Sequence, residues 1–132
     1  IDGKSTDGTW EKIVSEQERL RARFGERFFM QSEKDEGISD AFNKGIKKAA
    51  GDIVVLLNAG DSFVSNDVAR NAAEDFEREG KPGVLYYRVQ IGKKSFMPAS
   101  PDESSDEKIW ESGQVPHQGA FVSTETYKKI GL

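Results

Sequence analysis

The chain has 132 residues, 36% of them hydrophobic and 32% charged, with no cysteine. That length makes one domain or part of one, able to bury roughly two thirds of its unfolded surface, and the composition is that of a globular rather than a disordered chain. Its 23 acids outnumber 19 bases for a net charge of −4, interspersed so that no basic footprint for nucleic acid exists, thiolate metal sites are excluded, and no apolar run reaches the ~20 residues that span a bilayer.

Ile1-Asp2-Gly3 reads as the last residue of a strand entering a turn, and without an initiating Met the expectation is a chain that begins mid-domain. Thr9 is placed to cap a helix over 10–24, with an imperfect apolar stripe of Trp10, Ile13, Val14, Leu20 and Phe24 and a stop at Gly25. A short strand is expected over 27–31. Ile38, Phe42, Ile46 and Ala49 or Ala50 recur at helical spacing, so an amphipathic helix is predicted over 38–50, ended by Gly51. The run 53–57 is apolar throughout, as a central parallel strand covered on both faces would be.

Asn66 or Asp67 can cap a third helix reaching about Glu79, after which Gly80-Lys81-Pro82-Gly83 breaks it. Residues 84–91 read as one further strand, with antiparallel additions near Gly92, and 98–113 as a polar, acidic loop with a helical turn at 107–110. Ala120-Phe121-Val122 is a last short strand, and Thr124 caps a helix through Lys129. Alternating strands and helices predict an α/β fold, a mostly parallel sheet with flanking helices. In such sheets ligands bind at the carboxyl ends of the strands.

Asp61 stands at such an end, in the turn Asn58-Ala59-Gly60-Asp61. A carboxylate there can bind a hard divalent cation that also bridges phosphate oxygens; equally, an Asp in a turn commonly caps its own backbone. The small polar turn from Asp2 to Thr9 can accept a ribose or base edge, or can be a plain strand-to-helix connection capped by Asp7 or Thr9. Glu33, Asp35 and Glu36 cluster at what parallel strands would make the same rim, although the helix dipole alone accounts for Glu36. Asp40 and Asn43 share a helix face, and Asp40 is also spaced to pair with Lys44. His117, the single histidine, can ligate a metal, donate to a phosphate, or be structural. The GxxxxGK[ST], GxGxxG and GxSxG patterns do not occur.

Three ordered stretches together resemble the bacterial family 2 glycosyltransferases of the GT-A fold. They are IDGxSTDGT at Ile1 to Thr9, SExDxGIxDAxNKGIxxAxGDxIxxLN at Ser32 to Asn58 with Val54 replacing the last Ile, and HQxxFVxxxxYxxxG at His117 to Gly131. The resemblance implies a single partial GT-A domain over 1–132, its first strand–helix unit and C-terminal part falling outside the chain. It implies inverting transfer of a sugar from a nucleotide-diphosphate sugar donor to an acceptor hydroxyl, with Mn2+ or Mg2+, in bacterial polysaccharide or lipopolysaccharide synthesis. The acceptor would be a glycan or a lipid-linked molecule. The place would be the cytoplasm, at the inner face of the plasma membrane if missing segments attach it peripherally.

Carried over residue by residue, the resemblance gives Asp2 and Asp35 contacts to the nucleoside. Asp40 and Asn43 would support the donor pocket, Asn58 would lie in the same nucleotide-sugar site, and Asp61 would bind the metal and through it the diphosphate. His117 and Gln118 would lie near the diphosphate or acceptor. Gly60 stands where many relatives carry an acid, so Asp61 alone remains of that motif. The catalytic base is expected beyond Leu132, and Asp102, Glu103, Asp106 and Glu107 read as a solvated loop. The alternative is a non-catalytic fragment that holds only nucleotide and metal.

Overall fold

The computed structural model describes residues 1–96 and 116–132. They form two compact units, Ile1–Ala50 and Gly51–Leu132. The loop expected at 98–113, its helical turn, and Asp102, Glu103, Asp106 and Glu107 lie outside the described residues.

In the first unit the helix expected over 10–24 is divided into α1 (Thr9–Ser15) and α2 (Gln17–Phe24). The stripe explains the break: it has a gap between Val14 and Leu20, and neither helix contains a buried residue. Little packing therefore opposes the tighter turn in which the Glu16 N–H donates to the Ile13 carbonyl at 3.2 Å. Thr9 is not the cap; its own N–H donates to Asp7 Oδ1 at 3.1 Å. Gly25, at φ 60°, ends α2 where the pattern places the stop.

The strand expected over 27–31 is reduced to a 3-10 turn at Gly25–Arg27 and a single parallel bridge between Asp2 and Ser32. The Asp2 N–H donates to the Gln31 carbonyl at 2.8 Å, and the Glu33 N–H to that of Asp2 at 3.0 Å. Helix α3 (Ile38–Lys48) realises the amphipathic pattern, with Ile46 buried. Its Gly45 turns toward the Ile1 side chain, where an added Cβ would stand 3.6 Å from Ile1 Cγ1.

The second unit holds a three-stranded sheet in the order β1-β5-β2, from β1 (Ile53–Val55), β2 (Val84–Tyr86) and β5 (Ala120–Ser123). Both neighbours run antiparallel to β5. The last strand of the chain is thus the centre of this sheet, and 53–57 does not form a central parallel strand within it: β1 lies at its edge and stops at Val55. Val55, Phe121 and Leu85 stand in one cross-strand row, so their side chains share a face.

In helix α4 (Val68–Arg78) Val68, Ala72 and Phe76 recur every four residues, and the buried Ala72 and Phe76 line one hollow with Val55 and Phe121. A left-handed pair, Gly80 at φ 74° and Lys81 at φ 62°, ends it, with the Lys81 N–H reaching back to the Phe76 carbonyl at 2.8 Å.

Residues 84–91 split into β2 and β3 (Val89–Ile91); β3 forms an antiparallel hairpin with β4 (Lys94–Phe96) through Gly92 at φ 59°. The break falls at Tyr87-Arg88, where the Tyr87 N–H donates to the Gly119 carbonyl at 2.8 Å. Helix α5 (Thr124–Ile130) is capped by Ser123 rather than Thr124: Ser123 Oγ accepts the Thr126 N–H at 3.0 Å. Among the described residues no helix is long and apolar enough to cross a membrane.

Candidate functional site

The apolar run ends in a turn closed from both sides. The Asp61 N–H donates to the Asn58 carbonyl at 3.0 Å, and the Asn58 N–H donates to Asp61 Oδ2 at 3.0 Å. Gly60 occupies the third position at φ 92° while Ala59 keeps a negative φ, the pattern of a type II turn. A side chain at position 60 would be strained, which gives a backbone reason for glycine there.

Asp61 Oδ2 also accepts from Gln118 Nε2 at 3.2 Å. Asn58 Nδ2 lies 3.2 Å from His117 Nε2; with the amide as donor, the imidazole accepts there and carries its proton on Nδ1. The 3-10 turn at His117–Gly119 thus meets the Asn58–Asp61 turn through two side-chain pairs. Asn58, Asp61, His117 and Gln118, all expected in the site, are brought together in the second unit.

The cap expected as the plain alternative for Asp61 is present, and it uses Oδ2. Oδ1 has no hydrogen-bond partner among the described residues, and Asp61 is exposed. Among the described residues no group of three or more His, Cys, Asp or Glu could hold a metal, and Asp61 Oδ1 is the carboxylate oxygen of this cluster left to accept a cation.

Beside this cluster lies an open depression of about 700 Å³, lined by Asp61, Gln118, Arg88 and the rings of Phe63, Tyr87 and Phe121 among others. Tyr87 packs edge-on against Phe121 with ring centroids 5.0 Å apart, and Phe63 stacks on Phe121 at 6.3 Å. The Tyr87 hydroxyl donates to Asp75 Oδ2 at 2.5 Å. Burial, and then this bond to a carboxylate, push the phenol up to about 12. Sequence reasoning missed Tyr87 and Arg88, having placed both inside one strand. An arginine interrupting an apolar run just ahead of Gly92 was the available signal.

In the first unit Asp2 is buried, 6% exposed, and its carboxylate is occupied. Ser5 Oγ donates to Oδ1 and Ser32 Oγ to Oδ2, both at 2.5 Å, and the Ser5 N–H reaches Oδ2 at 3.2 Å. These hydroxyls, Ser32 first, hold the Asp2 carboxyl below the usual carboxylate range. Asp35 lies against Gly3: a Cβ on Gly3 would run into Asp35 Oδ2, with Cγ at 3.2 Å.

Asp40 pairs with Lys44 at 2.9 Å and accepts the Glu36 N–H at 3.0 Å, as the i, i+4 spacing allowed. Lys44 also meets Glu33 at 3.2 Å. The ammonium lowers the Asp40 carboxyl, and Asp40 in turn raises Lys44. Asn43 is half-buried on α3. Asp35 thus lies beside the turn after Ile1 that Asp2 anchors, its Oδ1 accepting the Gly37 N–H at 3.2 Å, whereas Asp40 is engaged on its own helix.

Comparison with known proteins gives a consistent picture. The family described as Glycosyl transferase family 2 matches residues 1–123. A protein of Mycobacterium bovis (strain BCG / Pasteur 1173P2) named PGL/p-HBAD biosynthesis glycosyltransferase is 35% identical over 132 residues, covering 99% of this chain and 49% of its own length. An uncharacterized glycosyltransferase of Mycobacterium tuberculosis (strain ATCC 25618 / H37Rv) is 32% identical over 105 residues, 78% of this chain and 40% of its own. The chain spans less than half the length of these curated relatives. No solved structure matches it.

Proposed function

The chain belongs to glycosyl transferase family 2, and on that premise we propose that it forms the donor-binding part of an inverting, metal-dependent glycosyltransferase. The observation that carries this reading is Asp61: a carboxylate on a doubly closed turn, fixed through Oδ2 by Asn58 and Gln118, with Oδ1 toward solvent beside a depression. A relative named for PGL/p-HBAD biosynthesis supports a biosynthetic transfer. The donor is a nucleotide-diphosphate sugar and the acceptor a glycan or lipid-linked hydroxyl, used at the cytoplasmic face of a bacterial membrane.

In this scheme the acceptor oxygen bonds to the anomeric carbon as the bond to the diphosphate breaks. The electron pair leaves with the nucleoside diphosphate, and the proton goes to an enzyme carboxylate. Asp61 would hold Mn2+ or Mg2+ through Oδ1, and the cation would supply positive charge to the leaving diphosphate. Gln118 fixes the Asp61 rotamer, and Asn58 fixes both the turn and the His117 ring. Asp2 shapes the turn after Ile1 through Ser5 and Ser32, and Asp35, beside Gly3, is the carboxylate presented to a base or ribose, with Asn43 in support.

The test is release of nucleoside diphosphate from a panel of nucleotide sugars with manganese. The expected result is manganese-dependent nucleotide binding that Asp61→Ala abolishes, with turnover of one donor where the carboxylate that takes the proton is present. Unchanged nucleotide affinity in that variant would overturn the metal assignment. Binding without turnover of any donor would favour the second reading, a nucleotide- and metal-binding fragment.

A further inference from the structure

The acids that precede and open α3 gather around one cation. The Lys44 ammonium has Asp40 Oδ2 at 2.9 Å, Glu33 Oε1 at 3.2 Å and the Lys34 carbonyl at 2.8 Å, an acceptor for each of its N–H donors. An exposed i, i+4 ion pair contributes little by itself. This lysine side chain is only 20% exposed, however, and it reaches back ten positions to a main-chain carbonyl. Asp40 Oδ2 adds a second tie by accepting the Glu36 N–H at 3.0 Å. Residues 33, 34 and 36 are thus fastened to α3 through Lys44 and Asp40, and Asp35 stands between fastened neighbours. Its Oδ1 accepts the Gly37 N–H at 3.2 Å, and its Oδ2 lies against Gly3.

We propose that Lys44 is a positioning residue: it clips residues 33–36 to α3 and so sets the Asp35 carboxylate beside Gly3 for the nucleoside of the donor. The proposal rests on the donor reading for what Asp35 binds, and on the Lys44 network alone for the clip. Without the ammonium, Glu33 and Asp40, which meet at the same nitrogen, repel each other, and the Lys34 carbonyl loses its partner. The segment then has a reason to leave α3, and Asp35 moves with it. Because the Lys44 donors are spent within the clip, the lysine acts through Asp35 rather than on a phosphate of the ligand.

The 132-residue chain, labelled with 15N, is titrated with manganese plus uridine, guanosine or thymidine diphosphate, and with manganese plus pyrophosphate. Lys44→Met should bring the amide order parameters of residues 34–37 into the flexible range, below roughly 0.6. It should weaken the preferred nucleoside diphosphate roughly tenfold, the worth of one hydrogen bond to a charged group, while pyrophosphate binds as before. The chain contains no cysteine, so Lys44→Cys can be alkylated by 2-bromoethylamine at that position alone. This rebuilds an ammonium of nearly the same reach and should restore both readouts. Lys47→Met removes the same charge from an exposed position of α3 and should change neither. Unchanged order parameters in Lys44→Met, an equal effect in Lys47→Met, an equal loss for pyrophosphate, or no recovery with the rebuilt ammonium would each overturn the proposal. So would nucleoside diphosphate binding that Asp35→Asn weakens and Lys44→Met does not. Order parameters that fall in Lys44→Met, with nucleoside diphosphate binding unchanged in both variants, would keep the clip and sink the nucleoside assignment of Asp35.

Discussion

Replacing Gly119 with alanine puts one methyl group where the structure has no room for it. The added Cβ would run into the Tyr87 carbonyl oxygen and stand 2.8 Å from Val89 Cγ2. The first obstacle is backbone and cannot rotate away, so β2 and the segment after it must part from the turn at His117–Gly119. Overpacking of this kind costs about 1–3 kcal/mol. The bond from the Tyr87 N–H to the Gly119 carbonyl, 2.8 Å long, is lost as well, which adds about 1 kcal/mol. At a tenfold change per 1.4 kcal/mol, a total of about 2–4 kcal/mol corresponds to a fall of roughly 30- to 1,000-fold in amide exchange protection at Tyr87 and its β5 partners. Hydrogen exchange read residue by residue is the assay, since it separates the second unit from the first. Gly51→Ala is the control: its Cβ would meet only the Ile53 carbonyl oxygen, at an ordinary 3.5 Å. Unchanged protection at Tyr87, or an equal loss in the control, would refute the close approach as the reason for glycine at 119.

Two further predictions follow from local geometry. Gly45→Ala, inside α3 with its Cβ at an ordinary 3.6 Å from Ile1 Cγ1, should stabilise the first unit by about 0.5–1 kcal/mol; a urea midpoint followed by the α3 amide resonances that stays level or falls would contradict this. The phenol of Tyr87 is raised from 10.0 to about 12 in the folded chain, so the folded state favours the protonated form. Its contribution is complete below pH 10 and is lost as pH rises to about 12. The melting temperature of the wild type should therefore drop across that window by more than that of Tyr87→Phe, and parallel curves would sink the assignment.

Periodicity and spacing were sufficient wherever the information is local. The stripe Ile38, Phe42, Ile46 located α3, the four-residue recurrence of Val68, Ala72 and Phe76 supports α4, and Gly25 marked a stop that the structure keeps. The Asp40–Lys44 pair was equally legible, being one helical turn apart. The division of 10–24 was less so, since a stripe with a gap does not say which turn will tighten.

Strand partners and side-chain partners lay beyond such reasoning, because they are chosen by packing between segments far apart in the chain. Nothing local to Ala120-Phe121-Val122 marks it as the centre of a sheet, and nothing local to 84–91 shows that the Gly119 backbone ends β2 at Tyr86. Motif resemblance did place Asn58, Asp61, His117 and Gln118 in one site, but their pairing is a tertiary fact: Asp61 with Gln118 across 57 positions, Asn58 with His117 across 59. The sequence by itself determined the family, the main helices and the acidic turn at the end of the apolar run. Only the tertiary structure decided that Asp61 spends one carboxylate oxygen on its own turn and on Gln118, that serine hydroxyls occupy Asp2, and that apolar side chains separated in sequence converge on one depression. The physical reason is that a hydrogen bond or an apolar contact depends on distance in space, which chain position fixes only within a helical turn or a tight loop.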